Sequence, residues 1–257
     1  MLPAITTWLF NRQLAAGEIG FDGVLDFFAR DLEAVAVEIP RVTYGDWSPA
    51  GLRRLKLALH RRGLVCAAIA AQNHFNCDDP VERRREVQLT KDFVEHARFL
   101  GAGVLNIFHA GWGDPEQGRR LGPEMLACLR EVTAYAEERG VILALESHGP
   151  LTDNVADLRG LFDACPSEYL RLNFDTGNLC EGPEGNLKLL DLAAHVHVKP
   201  DYRDASGRTR DAQVERVLGA LAAEGYRGTV TLEAVEGEPL DMLPGEYGEF
   251  VEMLERL

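Results

Sequence analysis

Four side chains that can bind a metal ion stand at the ends of short apolar runs in the second half of the chain. They are Glu146, Asp175, His197 and Glu233, in the segments ALESH, FDTGN, HVHVKP and TLEAV. Oxygen-rich sets with one imidazole suit divalent cations such as Mn2+, Mg2+ or Co2+, with Zn2+ as a further option. A stretch with helical spacing follows each run, so each ligand stands where a strand would end. The series therefore predicts a site for one divalent metal ion.

The elements that would position these ligands alternate along the whole chain. Short apolar runs are separated by longer segments whose apolar residues recur every three or four positions. The runs are Ala4–Thr7, Ala34–Ile39, Val65–Ala71, Val104–Phe108, Ile142–Leu145, Leu170–Phe174, His195–Val198 and Thr229–Leu232. Pro49 and Pro80 follow typical helix-start residues, and Gly63 and Gly101 are typical of helix ends. Eight strand–helix units joined by right-handed crossovers predict an α/β fold, a single (β/α)8 TIM barrel over residues 1–257.

A doubly wound open sheet is the main competing fold. It normally carries a G-x-G-x-x-G loop after its first strand, where this chain has the bulky Trp8 and Phe10. In a barrel the active site lies at the C-terminal ends of the strands, and the second, third and fourth runs also lead into polar residues, Glu38, His74 and His109. A helix cap is the alternative role for any single acid at such a position. Four potential ligands from consecutive strands instead favour a cation between them.

Composition narrows the class of protein. The chain has 257 residues, a hydrophobic fraction of 46% and a net charge of −14, from 27 basic and 41 acidic residues. The acidic balance disfavours a nucleic-acid binder, which needs basic contacts to phosphate. No apolar run reaches the length of a membrane span, and no signal peptide is evident. Five scattered cysteines without a CxxC pair predict reduced thiols in a cytoplasmic protein.

A family resemblance adds to these inferences. The segments ALESHG, FDTGN, HVHVKP and TLEAVEG resemble signatures of the xylose-isomerase-like sugar isomerase/epimerase superfamily. That superfamily includes ketose 3-epimerases, inosose dehydratases, hydroxypyruvate isomerases and, more distantly, the endonuclease IV class of DNA-repair enzymes. The resemblance implies that Glu146, Asp175, His197 and Glu233 are the metal ligands. It selects His197 over His195, although the two histidines share one face of their strand, and leaves His195 as a hydrogen-bonded core residue.

The resemblance also implies an activity. A divalent-metal-dependent isomerase or epimerase is expected to abstract a proton next to the carbonyl of a keto sugar or related polyol, through an enediolate that the metal stabilises. Glu146 and Glu233 would be the catalytic acid/base pair. Proton return to the opposite face gives epimerisation, return to the adjacent carbon gives isomerisation, and loss of a β-hydroxyl gives dehydration. The sequence leaves the substrate and the choice among these reactions open.

Further residues are candidates for substrate contact. They are Glu38, His109, His148, Asn178, Lys199 and Arg203. A buried ion pair is the alternative for Glu38, a bond to a loop carbonyl for His148 and a solvated loop charge for Arg203. Asn178 stands where the ketose epimerases usually carry a histidine, and Lys199-Pro200 replaces their common Lys-Asp pair. Both departures weaken assignment to a named sugar.

Two rival functions are weighed against the sequence, and the expected partners follow from it. Endonuclease IV-like repair would use His74 and His109 as extra ligands, but the other required histidines are missing and the net charge opposes DNA binding. A non-catalytic sugar-binding barrel is also compatible with the fold alone. The expected partner is a small-molecule carbohydrate, with no nucleic acid and no membrane. The acidic C-terminal helix predicted over 246–257 offers a surface for a homo-oligomer.

Overall fold

The structure is a computed structural model that describes residues 1–108, 122–149, 151–199, 201–203, 209–211, 213–234 and 238–257. Residues 201–203 and 209–211 are described by their backbone alone. Two of the predicted contact residues are affected: His109 lies outside the described residues, and so does the side chain of Arg203.

Eight parallel strands close into a barrel, which confirms the predicted fold. The barrel strands are β1 (Leu2–Thr6), β2 (Ala36–Pro40), β3 (Val65–Ala70), β4 (Val104–Ile107), β5 (Ile142–Glu146), β6 (Leu170–Asp175), β7 (Ala193–Val198) and β10 (Thr229–Leu232). Their order around the barrel is β1-β10-β7-β6-β5-β4-β3-β2. Each lies within two residues of its predicted bounds. Two short strands, β8 (Asp201–Arg203) and β9 (Thr209–Asp211), form a separate antiparallel pair after β7.

Helices connect the strands. The described α-helices are Asn11–Ala16, Phe21–Arg30, Pro49–Arg62, Pro80–Leu100, Pro123–Glu137, Val155–Ala164, Gly182–Asn186, Val214–Ala223 and Pro239–Arg256. The predicted start signals hold, since the side chains of Ser48 and Asp79 accept hydrogen bonds from backbone N–H groups of the first turn. Gly63 and Gly101 end their helices at φ of 70° and 86°, a conformation that favours glycine. None of the described helices combines the length and apolar character that a membrane crossing requires.

The barrel interior is polar towards the C-terminal ends of its strands. Residues two apart in a strand share a face, so Asn173 and Asp175 on β6 lie on the same side, as do His195 and His197 on β7. Parallel pairing sets Asn173 beside His195 and Asp175 beside His197. These four residues are buried, at 0% or 1% exposure. The fold therefore stacks two polar layers inside the barrel, one directly below the other.

Candidate metal and active site

The four predicted metal ligands converge at the C-terminal mouth of the barrel. Glu146 and Asp175 end strands β5 and β6, His197 is the penultimate residue of β7, and Glu233 directly follows β10. One potential ligand atom from each lies within 4.8 Å of every other. Glu146, Asp175 and His197 are at most 2% exposed, and Glu233 is partly buried. We call these four residues the quartet.

The donor set of the quartet fits a divalent cation. Three carboxylates and one imidazole offer the oxygen-rich coordination that Mn2+, Mg2+ and Co2+ accept. Glu233 Oε2 is buried, and its geometry matches no hydrogen bond, although it lies 3.1 Å from His197 Nδ1. The Lys199 ammonium also lies 3.1 Å from this oxygen, so the groups that balance its charge in this structure are cationic, a role that a divalent ion would share. The quartet would therefore hold the metal, with Glu146, Asp175, His197 and Glu233 as ligands.

Burial and mutual repulsion shift the acidity of the quartet. Burial raises the pKa of Glu146 to about 7, and the negative charge of Glu233 adds to this effect. Burial likewise raises the pKa of Asp175. Although burial opposes it, the charges of His197 and Lys199 hold the pKa of Glu233 well below its usual value. Burial would lower the pKa of His197, but Glu233 and Glu38 raise it well above its usual value. The clustered acids therefore favour the binding of a positively charged group in the cavity.

Two asparagines that the sequence analysis missed hold Glu146 in place. Asn106 Nδ2, from β4, donates to Glu146 Oε2 at 2.7 Å, and Asn173 Nδ2 donates to the same oxygen at 3.3 Å. Both asparagines are at most 1% exposed. The available signal was their polarity within otherwise apolar strands, VLNI and LRLNFD, with Asn173 two residues before Asp175. These bonds fix Oε2 of Glu146 and leave Oε1 toward the mouth.

Asn178 lies at the quartet. Its Nδ2 donates to Asp175 Oδ2 at 2.8 Å, and Gly177 N donates to the other oxygen, Oδ1, at 2.7 Å. Asn178 Nδ2 also lies 3.5 Å from Glu146 Oε1. The loop after β6 therefore orients the Asp175 carboxylate from above. The predicted substrate contact of Asn178 stays a prediction.

Glu38 and His195 lie one layer below the quartet. Glu38 is 1% exposed, and its Oε2 accepts hydrogen bonds from His195 Nε2 and His197 Nε2, each at 2.8 Å. This is the buried ion pair that the sequence left open as the alternative to substrate contact. Burial would raise the pKa of Glu38, but the two imidazoles, His197 first, lower it to about 2. Glu38, His195 and His197 also form a second group of close potential ligands.

His148 and His74 are the other histidines among the described residues that the sequence singled out. The backbone N–H of His148 donates to Thr152 Oγ1 at 2.9 Å, and its ring packs edge-on against Phe108. Burial, followed by the charge of Lys199, lowers the pKa of His148 to about 4, so its imidazole is neutral near pH 7. His74 belongs to neither of the two ligand groups found among the described residues.

Lys199 places its ammonium among the quartet acids. Nζ lies 2.6 Å from Asp175 Oδ2 and 3.1 Å from Glu233 Oε2, and it donates to Asn178 Oδ1 at 3.1 Å. Its side chain is 22% exposed. Burial would lower the pKa of Lys199, but Asp175 and Glu233 raise it, so the ammonium stays charged. Lys199 thus neutralises two of the same oxygens that would bind a divalent ion.

Replacing Lys199 by methionine tests this competition. Lys199→Met keeps the apolar stem and removes the charge, so the metal-free protein is expected to lose about 2 kcal/mol of stability. This is less than the ~3–5 kcal/mol typical of a fully buried broken pair, because Lys199 is partly exposed. Mn2+ should raise the melting temperature of the variant more than that of wild type, because no ammonium competes for Asp175 and Glu233. Thermal unfolding with and without Mn2+ measures both effects.

Lys188→Met is the matched control, because Lys188 is an exposed lysine outside the site. It should leave both melting temperatures unchanged. A metal-free Lys199→Met protein as stable as wild type would contradict the role assigned to the ammonium.

Comparison with known proteins extends these findings. The family profile described as Xylose isomerase-like TIM barrel matches residues 14–257. A Xylose isomerase-like TIM barrel protein from Mycobacterium smegmatis, solved in complex with magnesium, is similar with a TM-score of 0.75 and 18% identity, over 99% of this chain and 96% of that chain. D-psicose 3-epimerase from Clostridium cellulolyticum H10, solved with D-tagatose, gives a TM-score of 0.73 and 18% identity, over 100% and 95% of the two chains.

A probable 3-DHS dehydratase from Bacillus anthracis is similar to the same degree. Its TM-score is 0.74 at 14% identity, over 98% of this chain and 99% of that chain. No curated protein sequence matches the chain at a significant level. Structural likenesses at these identities show a common fold, whereas the family profile covers nearly the whole sequence, including all four quartet residues. The chain therefore belongs to the xylose isomerase-like TIM barrel family.

Proposed function

We propose that this protein is a divalent-metal-dependent isomerase or epimerase acting on a keto sugar or a related polyol. The observation that supports this most is the convergence of the quartet, whose four potential ligand atoms lie within 4.8 Å of one another at the barrel mouth. Two of the four are glutamates, which can also exchange a proton with a substrate carbon. The likeness to an epimerase solved with D-tagatose supports a sugar as the substrate class.

The metal and the protein have separate tasks in this proposal. When bound, a divalent ion supplies a Lewis acid that favours negative charge on the oxygen of a carbonyl next to the reacting carbon. Asn106 Nδ2 and Asn173 Nδ2 hold Oε2 of Glu146 by hydrogen bonds of 2.7 and 3.3 Å. The other oxygen, Oε1, which lies 3.5 Å from Asn178 Nδ2, is thereby presented in one orientation. Pre-set orientation of this kind lowers the barrier because it avoids reorganisation during the reaction.

Glu146 and Glu233 are the proton-carrying groups in this proposal. They approach the same space from β5 and from the end of β10, which lie on different sides of β6 and β7 in the barrel order. One carboxylate removes the proton next to the carbonyl, and the other returns a proton from the opposite side. Return to the same carbon inverts its configuration and yields the epimer. Return to the neighbouring carbon moves the carbonyl and yields the isomer.

Solvent deuterium incorporation tests the proposal. Wild-type protein with Mn2+ in deuterated water is incubated with a panel of ketoses and keto-inositols, and proton NMR follows the C–H signal beside each carbonyl. Loss of that signal, with formation of an epimer or isomer, is the expected result for at least one sugar. Loss of water from the sugar would favour the dehydratase alternative, which the likeness to a probable 3-DHS dehydratase supports. No exchange with any compound, despite bound Mn2+, would contradict catalysis and favour a sugar-binding barrel.

A further inference from the structure

Glu38 is a buried carboxylate that bonds to a quartet ligand from below. It is the central residue of β2, across the barrel from His197 on β7, and is 1% exposed. Its Oε2 accepts two hydrogen bonds of 2.8 Å, one from His195 Nε2 and one from His197 Nε2. A buried carboxylate would be unstable without such donors. The two imidazoles therefore hold Glu38, and Glu38 in turn holds them.

The two nitrogens of His197 face opposite surroundings. Nε2 points down to Glu38, while Nδ1 lies 3.1 Å from Glu233 Oε2 and 3.7 Å from Glu146 Oε2. A neutral imidazole carries a proton on one nitrogen and a lone pair on the other. Because a carboxylate only accepts hydrogen bonds, Glu38 retains the proton on Nε2. With the proton on Nε2, Nδ1 is the nitrogen that can give its lone pair to a cation among the quartet carboxylates, and Asn173 Nδ2 lies 3.3 Å from it.

We infer that Glu38 is a positioning residue for the metal site: it fixes the Nε2–H tautomer and the ring orientation of His197, so that Nδ1 is the ligating atom. The inference rests on the metal site of the proposed function. A carboxylate bonded to a ligating histidine orients the ring and raises its basicity, and its loss typically lowers metal affinity by about 10–100-fold. Neither the sequence pattern nor the quartet geometry alone distinguishes Nδ1 from Nε2.

His195 limits the freedom of Glu38. It donates to the same oxygen, is completely buried, and lies beside Thr231, whose Oγ1 is 3.3 Å from His195 Nε2. The second nitrogen of His195, Nδ1, is buried and has no hydrogen-bond partner among the described residues. A carboxylate with both donors on one oxygen cannot turn without breaking a buried bond. His195 therefore keeps the acceptor of Glu38 aimed at His197.

The test compares Mn2+ binding by isothermal titration calorimetry in wild type and in Glu38→Gln, which keeps the size of the side chain and removes its charge. We expect one Mn2+ per wild-type chain and an affinity about 10–100-fold lower in the variant. Thr133→Val is the matched control, because it removes a buried hydroxyl from the helix Pro123–Glu137, outside the barrel interior. It should bind Mn2+ as wild type does.

Nitrogen-15 NMR of the Mg2+-loaded protein gives the second readout. Wild-type His197 should show a protonated Nε2 and an unprotonated Nδ1 shifted by the metal, and Glu38→Gln should show a mixture of tautomers. Unchanged Mn2+ affinity together with an unchanged tautomer in Glu38→Gln would overturn the inference. Binding of two ions by wild type and one by the variant would also overturn it, in favour of a second cation held by Glu38, His195 and His197.

These readouts separate the inference from the proposed function. Neither uses a sugar, so a protein that exchanges no substrate proton, yet binds Mn2+ and shows the expected tautomers, upholds the role of Glu38 and refutes the isomerase. A wild-type protein that binds no Mn2+ overturns both.

Discussion

Replacing Glu146 or Glu233 by glutamine is expected to lower the rate of solvent deuterium exchange into the sugar by about 10²- to 10⁴-fold, the usual range for loss of a general acid or base. Glutamine has nearly the same shape and keeps one carbonyl oxygen, but it cannot take up or return a proton. In Glu146→Gln the remaining oxygen can still accept the hydrogen bond from Asn106, which is 2.7 Å long in wild type. The variant therefore removes the proton transfer with little change in packing.

The two variants are expected to differ in their side effects. Glu233 lies 3.1 Å from both His197 Nδ1 and Lys199 Nζ, so Glu233→Gln leaves two cationic groups with one acid fewer. Glu146→Gln instead removes a carboxylate whose pKa burial already raises to about 7. We therefore expect Glu146→Gln to be at least as stable as wild type without metal, and Glu233→Gln to be less stable. Thermal unfolding distinguishes these effects from the loss of exchange.

Glu137→Gln is the control for the exchange experiment, because Glu137 is an exposed glutamate far from the barrel mouth. It should exchange at the wild-type rate. Wild-type exchange in either quartet variant would contradict the assignment of two proton-carrying glutamates. If only one of the two variants lost exchange, the carboxylate replaced in that variant would be the only base.

The positions of the four quartet residues at strand ends were predictable because they depend on local pattern and on the fold. Apolar runs that end on a polar residue mark strand ends, and a parallel barrel brings all such ends to one face. Two predicted helix ends also agree with the structure because they depend on local conformation. Gly63 and Gly101 end their helices through their own backbone conformation. Alternation within β7 left His195 and His197 on one face. Which of the two is level with the other quartet residues depends on the stagger between neighbouring strands.

The bonds among the site residues could not be predicted from the sequence. Glu38 and His195 are 157 positions apart and meet across the barrel interior, where tilt and stagger of the strands set the distance. Asn106 and Lys199 reach the quartet in the same way, from β4 and from the residue after β7. A polar residue in a strand signals only that a partner is needed. Which partner it finds is a property of the closed barrel.

Mn2+ is expected to raise the melting temperature of wild type by about 5–10 °C, and Asp175→Asn should abolish most of this rise. An ion present at 100 times its Kd stabilises the folded state by about 2.7 kcal/mol, and each kcal/mol shifts the melting temperature of a domain this size by about 2–4 °C. The quartet exists only in the folded chain, because its ligands come from four different strand ends. The free energy of metal binding therefore adds to the free energy of unfolding. Addition of a chelator should reverse the shift.

Asp175→Asn removes one charge from the quartet and keeps the size of the side chain. If the affinity falls about 100-fold, the same Mn2+ concentration stabilises the variant by only about 0.4 kcal/mol. The metal-free variant should be less stable than wild type, because both oxygens of Asp175 accept hydrogen bonds and the asparagine NH2 group must face one of the donors, Gly177 N or Asn178 Nδ2. The Mn2+ response is therefore measured against the metal-free form of each protein. Asp163→Asn, an exposed aspartate, is the control and should keep the full Mn2+ response. An equal Mn2+ response in Asp175→Asn and wild type would place the ion elsewhere than in the quartet.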